Sequence, residues 1–231
     1  MEPPARYELD DGVATITMDD GKVNALSPAM LAAVDGALDR AAEDGAVVVL
    51  RGREGTFSAG FHLPTLRAGG PEATGMVRGG FELAARLLAF PRPVVVACTG
   101  HAIAMASFLL LSGDLRIGAI GSFRIVANEV AIGLTMPRTA IELCRQRLTP
   151  AAFSRAVLLS EQFSPDEAVT AGFLDRVVEP AALDEAARGA AAALAALDPA
   201  AHRASKLRAR EATLAAIRDA IADDAAELAP A

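Results

Sequence analysis

The chain has 231 residues, 52% of them hydrophobic, enough to bury one substantial core with room for a small appendage. Twenty-two basic against 29 acidic side chains give a formal charge of −7, which argues against nucleic acid or an anionic membrane as the main partner. An anionic ligand would need a local basic patch.

Read in chain order, "YEL" and "VATITM" predict two strands joined at the Asp10-Asp11-Gly12 turn typical of a hairpin. The opening "MEPPARYELDDG" has no basic start followed by an apolar run, so no secretory leader is expected and the cytoplasm is the expected compartment. Ser27-Pro28 begins a helix, because the Ser side chain can accept from a free amide of the first turn and Pro lacks the amide that would go unpaired. Met30, Leu31, Val34, Leu38 and Ala41 recur along that helix near a 3.6-residue period, and the chain then enters the buried strand "AVVVLRG", Ala46 to Gly52.

The next stretch, "GTFSAGFHLPTL" from Gly55 to Leu66, crowds Ser58, Ala59 and Gly60 into a turn before a helix start. Arg67 to Gly80 is rich in glycine and reads as a mobile loop, followed by the helix "FELAARLLAF". From Val94 to Gly113 twenty residues carry no formal charge, the length of a membrane span. The β-branched "PVVVA", the break at Gly100 and the following "AMASFLLLSGD" instead predict a strand, a turn and a buried helix.

After "LRIGA" and "SFRIV" helical signals dominate. They include "PRTAIELCRQRL", "PAAFSRAVLL" and "SPDEAVTAG", where Ser164 and Glu167 have capping-box spacing. A short strand from Phe173 to Val178 precedes Ala-rich helices from about Pro180 to Leu228, which read as packing surface against the core and against another subunit. The recurrence of strand, small-residue turn and helix predicts an α/β fold with largely parallel pairing and a ligand site beyond the carboxyl ends of the strands. Cys98 and Cys144 lie in apolar surroundings without metal-ligand spacing and read as buried reduced thiols.

"TGHAIAMASF", Thr99 to Phe108, repeats the character of the first turn: small residues around one larger one, after a buried strand and at the start of a helix. Close packing would explain both turns. Two amides pointing into one cleft would also make an oxyanion hole, in which one donor is worth roughly 3 to 4 kcal/mol at a developing oxyanion.

The segments "VNALS" (Val23 to Ser27), "FSAGFHL" (Phe57 to Leu63), "GHAIAMASFLLLSGD" (Gly100 to Asp114), "NEVAIGL" (Asn128 to Leu134) and "SPDEAVTAGFLDRVV" (Ser164 to Val178) resemble, in order and spacing, the crotonase superfamily of enoyl-CoA hydratases and isomerases. The resemblance spans about residues 6 to 180. It implies an α/β spiral of ββα turns over residues 1–180 and a C-terminal helical trimerisation region over 181–231, assembled as a homotrimer or a hexamer. It also implies an acyl-CoA or enoyl-CoA thioester as ligand, with coenzyme A as part of the substrate and no separate cofactor or metal.

Carried over by position, the backbone amides of Phe61 and Met105 form the oxyanion hole and Glu129 is the catalytic acid-base. The family commonly has glycines where this chain has Ala104, Met105 and Ala106, which implies added side-chain volume beside the thioester. Hydratases of the family use two glutamates, and at the first position this chain has Phe108. "MPR", Met136 to Arg138, likewise replaces a glycine-rich turn common in hydratases. Members that move a double bond from position 3 to position 2 resemble this pattern more closely.

The apolar neighbours Val130 and Ile132 are expected to raise the Glu129 pKa. His62, beside the first oxyanion residue, can assist a proton transfer or serve only in packing, and the same holds for His101. Lys22, Val23, Ala25, Gly60, Leu63 and Phe108 are implied around the substrate. Basic side chains for the coenzyme phosphates would come from Lys22 and from His202, Arg203, Lys206, Arg208 and Arg210, whose other reading is a solvated helix face. Hydration with a substitute for the missing glutamate and a catalytically silent acyl-CoA binder are the competing functions.

Overall fold

A computed structural model describes residues 3–228. Strands β1 (Ala5–Asp10) and β2 (Val13–Met18) form the expected antiparallel hairpin, with Asp11 and Gly12 both at positive φ in the turn. Helix α1 (Pro28–Glu43) starts at Ser27, whose Oγ accepts from Met30 N–H at 3.1 Å, and it buries the apolar stripe anticipated from its period. Its last turn brings Arg40 over the Tyr7 ring, 4.1 Å from the centroid, and Asp44 to accept from the Tyr7 hydroxyl.

Strands β3 (Val47–Arg51), β5 (Val94–Cys98), β7 (Leu115–Ala119) and β9 (Arg176–Val178) continue the first sheet in parallel, in the order β1-β2-β3-β5-β7-β9. Both faces of this sheet are covered, which is why "VVVL" and "VVVA" are uninterrupted apolar runs. Ala14, Ile16, Val48, Leu50, Val94 and Val96 point into the main core, while Val47, Val49, Val95, Ala97 and Ile117 point the other way. Each inner strand then hands the chain to a second parallel sheet of β4 (Gly55–Ser58), β6 (Gly100–Ile103) and β8 (Ile125–Val126). A helical segment follows each handover, so the chain winds as a spiral of ββα turns.

The uncharged run from Val94 to Gly113 is β5, β6 and the buried helix α4 (Met105–Leu111), and no helix among the described residues is long and apolar enough to cross a membrane. Cys98 and Cys144 are free and buried.

The expected glycine loop from Arg67 to Gly80 is helical. Helix α2 (Leu63–Ala68) ends at Gly69, and α3 (Gly70–Ala89) runs on from it; Gly69 and Gly70, at φ 67° and 73°, supply the break. Within α3 the positions Ala73, Met76, Val77, Phe81, Ala84, Leu87 and Leu88 keep helical spacing toward the core. Glycine at position 80 serves packing rather than bending. A Cβ there would lie 2.5 Å from Cε1 of Phe61.

Helices α5 (Arg138–Arg145), α6 (Pro150–Leu159) and α7 (Pro165–Ala171) follow, the last opened by the complete Ser164–Glu167 capping box. Beyond the expected boundary at residue 180 packing does not break off: Leu183, Ala187 and Ala191 of α8 (Leu183–Ala195) cover the outer face of the first sheet. Helix α9 (Pro199–Ala209) is pinned by Lys206, whose buried Nζ donates to Phe90 O and Arg92 O at 2.9 Å and to Asp114 Oδ2 at 2.5 Å. Helix α10 (Glu211–Leu228) packs on α3 and α5. Its Asp224 carboxylate caps α5 by accepting from the backbone N–H groups of Arg138 and Thr139, each at 2.9 Å.

Candidate active site

The first turn is held in shape by a side-chain network that the sequence reading did not single out. Asn24, buried and at φ 52°, donates from Nδ2 to Met18 O at 2.9 Å and Phe57 O at 3.2 Å. Its carbonyl accepts from the Ser58 hydroxyl at 2.6 Å, and Ser58 Oγ accepts in turn from Gly60 N–H at 3.1 Å. Asp20 shapes the loop before it, accepting from Lys22, Asn24 and Ala25 N–H at 2.8, 2.8 and 3.0 Å. Burial works against that carboxylate, but these amides prevail and hold its pKa below the ordinary value. The signal available in the sequence was an Asp four residues before an Asn, next to a glycine.

Backbone bonds then fasten the turn to α1: Ala59 N–H donates to Val23 O at 3.0 Å and Leu26 N–H to Gly60 O at 2.8 Å. Phe61 N–H finds no acceptor among the described residues. Its ring packs edge-on against Phe81, centroids 6.2 Å apart, and Phe81 contacts Phe108 at 6.5 Å. Phe108 is therefore a core side chain, fully enclosed.

At the second turn Ala104 has φ 51° and ψ −125°, a region that costs a non-glycine residue on the order of 1 to 3 kcal/mol. Neighbouring bonds enforce it. Ala104 N–H donates to Val126 O at 2.8 Å, and Ala104 O accepts from Ser107 N–H at 2.8 Å and Ser107 O–H at 2.7 Å. The following amide, Met105 N–H, has no acceptor among the described residues.

The two turns abut. A Cβ built on Gly60 would lie 2.7 Å from Ile103 O and 3.4 Å from Met105 N, so position 60 admits only glycine, which its φ of 84° also favours. Met105 and Ala106 are fully buried, and the expected extra volume beside the donors comes down to the partly exposed Ala104 methyl.

The bond from Ala104 N–H to Val126 O also sets β8 beside this turn, and Glu129 follows three residues later, ahead of a short 3-10 turn, Val130–Ile132. Its backbone carbonyl is occupied by Leu134 N–H at 2.9 Å. The side chain is only 8% exposed, Oε2 has no hydrogen-bond partner among the described residues, and burial pushes the carboxyl up to about 7. The expected cause is only half right. Val130 and Ile132 project outward and are exposed, so other groups enclose the acid; Cys144 of α5 is near enough for the Glu129 charge to help raise its thiol, after burial. Asn128 Oδ1 is likewise buried without a partner among the described residues.

His62, just before α2, has its Nδ1 2.9 Å from Thr65 Oγ1 in the first turn of that helix. His101 is a structural acceptor: Nδ1 takes Arg124 N–H at 3.1 Å, the ring stands edge-on to Phe123, and burial together with Arg124 lowers its pKa. Lys22, Val23 and Leu63 are exposed, whereas Ala25 N–H is engaged by Asp20. Of the C-terminal cations, Lys206 and Arg210 are bound to Asp114 and to backbone carbonyls, which leaves Arg203 and Arg208 exposed. Two unpaired amide donors and one acid that titrates near neutrality can together stabilise an oxyanion and move a proton.

A family model described as enoyl-CoA hydratase/isomerase matches residues 8–226. The crystal structure of an enoyl-CoA hydratase/isomerase family protein from Pseudomonas syringae is 44% identical and superposes with a TM-score of 0.96 over 98% of each chain. The apo structure of an enoyl-CoA isomerase from Mycobacterium tuberculosis is 47% identical, with a TM-score of 0.94 over 98% of this chain and 100% of that one. A relative from Mycobacterium avium, 30% identical over 174 residues that make up 74% of this chain and 67% of its own length, is called a probable enoyl-CoA hydratase, EchA17.

Proposed function

The chain belongs to the enoyl-CoA hydratase/isomerase family, and from that membership we propose that it moves the double bond of an enoyl-CoA thioester from position 3 to position 2. The observation that carries the choice of isomerisation is the single acid: Glu129 is buried, with Oε2 unpartnered among the described residues, while Phe108 sits in the core with Phe81. One carboxylate cannot readily bracket a water, but it can take a proton from one carbon and return it to another.

In this reading the thioester oxygen sits between Phe61 N–H and Met105 N–H. Ionised Glu129 removes a proton from C2, the two amides hold the enolate oxygen, and the same carboxyl delivers the proton to C4. Coenzyme A is part of the substrate, and no other cofactor or metal takes part. Val23 and the exposed Lys22, Arg203 and Arg208 are the groups left for the coenzyme. The working form is a trimer, or a hexamer made of two trimers, in the cytoplasm.

The test is turnover of 3-hexenoyl-CoA against hydration of 2-hexenoyl-CoA by the purified protein. Isomerisation should be the faster reaction, and Glu129→Gln should lower its kcat by about 100- to 10,000-fold with substrate binding nearly intact. Faster hydration would replace this reading with a hydratase. Binding of acyl-CoA without either reaction would mark a silent binder.

A further inference from the structure

The second turn carries a side chain where its backbone geometry suits none, and that residue is partly exposed. With ψ of −125°, Ala104 turns its Cβ into the plane of the next amide. Standard bond lengths and angles then put the methyl on the side of the amide hydrogen, within about 3 Å of the Met105 nitrogen. An oxygen that accepts from Met105 N–H therefore touches the Ala104 methyl. The first turn lies close against it: a Cβ added to Gly60 would come within 3.1 Å of Ala104 Cβ, so a side chain at position 60 would crowd the methyl. The hydrogen bonds to Val126 and Ser107 fix the backbone that presents it. Of the three consecutive side chains at the turn only this one is accessible, because Met105 and Ala106 are buried.

We propose that the Ala104 methyl is a steric filter on acyl carbon 2: thioesters unsubstituted at C2 seat in the site, and those bearing a methyl or larger group there are rejected. The inference rests on the reading above, in which the thioester oxygen lies between Phe61 N–H and Met105 N–H. C2 is bonded directly to the carbonyl carbon, so a branch on it extends into the space next to the carbonyl that the methyl already occupies. Substituents from C4 onward lie beyond its reach. Rejection of one misplaced methyl in an apolar site amounts to about 10- to 200-fold.

Calorimetry with butanoyl-CoA and 2-methylbutanoyl-CoA, neither of which can isomerise, tests the filter on wild type and on Ala104→Gly. Wild type should favour butanoyl-CoA by at least about tenfold. Ala104→Gly should bring the two affinities within about threefold of each other, and Ala104→Ser, one atom larger at the same carbon, should widen the gap. A wild-type ratio near one, or a ratio that neither variant moves, overturns the proposal. Turnover of 3-hexenoyl-CoA measured alongside separates the two readings: selective binding without isomerisation removes the isomerase and leaves the filter. A wild type that binds neither thioester removes both.

Discussion

Glu129 does at the scale of one residue what the proposed reaction needs, and the cost appears in stability. In the unfolded chain a glutamate ionises near 4.5, whereas here burial raises the value to about 7. Between those pH values the folded state holds a proton that the unfolded state has lost, so stability falls as pH rises through the window, by on the order of 3 kcal/mol in all. Glu129→Gln should flatten that fall, leaving the variant more stable than wild type at pH 8 but not at pH 4, as urea unfolding at the two pH values would show. The base must be ionised before it can act, so kcat/KM for the 3-enoyl thioester should climb as pH rises through about 7 and then level off. The free amides of Phe61 and Met105 and the buried Glu129 fall at positions singled out by the resemblance, whose motifs are local and ordered along the chain. Asp20 and Asn24 were not legible in the sequence, nor was the bonding role of Ser58, since all three act by bonding backbone groups that fold together from positions up to 34 residues apart.

Among the elements, α3 shows where a composition rule fails. A run of glycines ordinarily signals a loop, yet only Gly69 and Gly70 break the helix here, and Gly80 lies inside it against the Phe61 ring. Alanine is the better helix former by about 1 kcal/mol, so propensity alone predicts that Gly80→Ala stabilises the protein. Packing predicts the reverse, because the new methyl would sit 2.5 Å from Cε1 and 2.7 Å from Cζ of Phe61. Overpacking of this kind costs about 1 to 3 kcal/mol. We expect Gly80→Ala to lower the melting temperature and, by displacing Phe61 and its amide, to reduce kcat more than it raises KM. A variant as stable and active as wild type would show that the ring yields freely. The strands were easier to read, since burial on both faces writes itself into the sequence as "VVVL" and "VVVA".

For the whole molecule, the C-terminal helices were expected to be packing surface, and much of that surface is spent within the chain: α8 on the sheet, α9 through Lys206 and Asp114, α10 on α3 and α5. Exposed apolar side chains gather instead where the turn after Glu129 packs on α6, with Val130, Ile132 and Leu134 on the first segment and Leu158 and Leu159 at the end of the helix. Ala131 N–H donates to Ser160 Oγ between them at 3.1 Å, and Leu159 is 71% exposed. If the chain assembles as proposed, this patch is the one that gains most from being covered. Light scattering should give a trimer or hexamer for wild type and a smaller species for Leu159→Asp, whereas a wild-type monomer at micromolar concentration would remove the assembly. Tyr7 on β1 has an optical consequence. The chain has no tryptophan and this one tyrosine, so its emission in the tyrosine band comes from a single ring, hydrogen-bonded to Asp44 and stacked under Arg40. Fluorescence excited at the tyrosine band will follow the parting of β1 from α1 and be blind to a ligand at Phe61 and Met105, and ionisation of the phenol, pushed up to about 12 by burial and then by Asp44, will lag behind that of a free tyrosine.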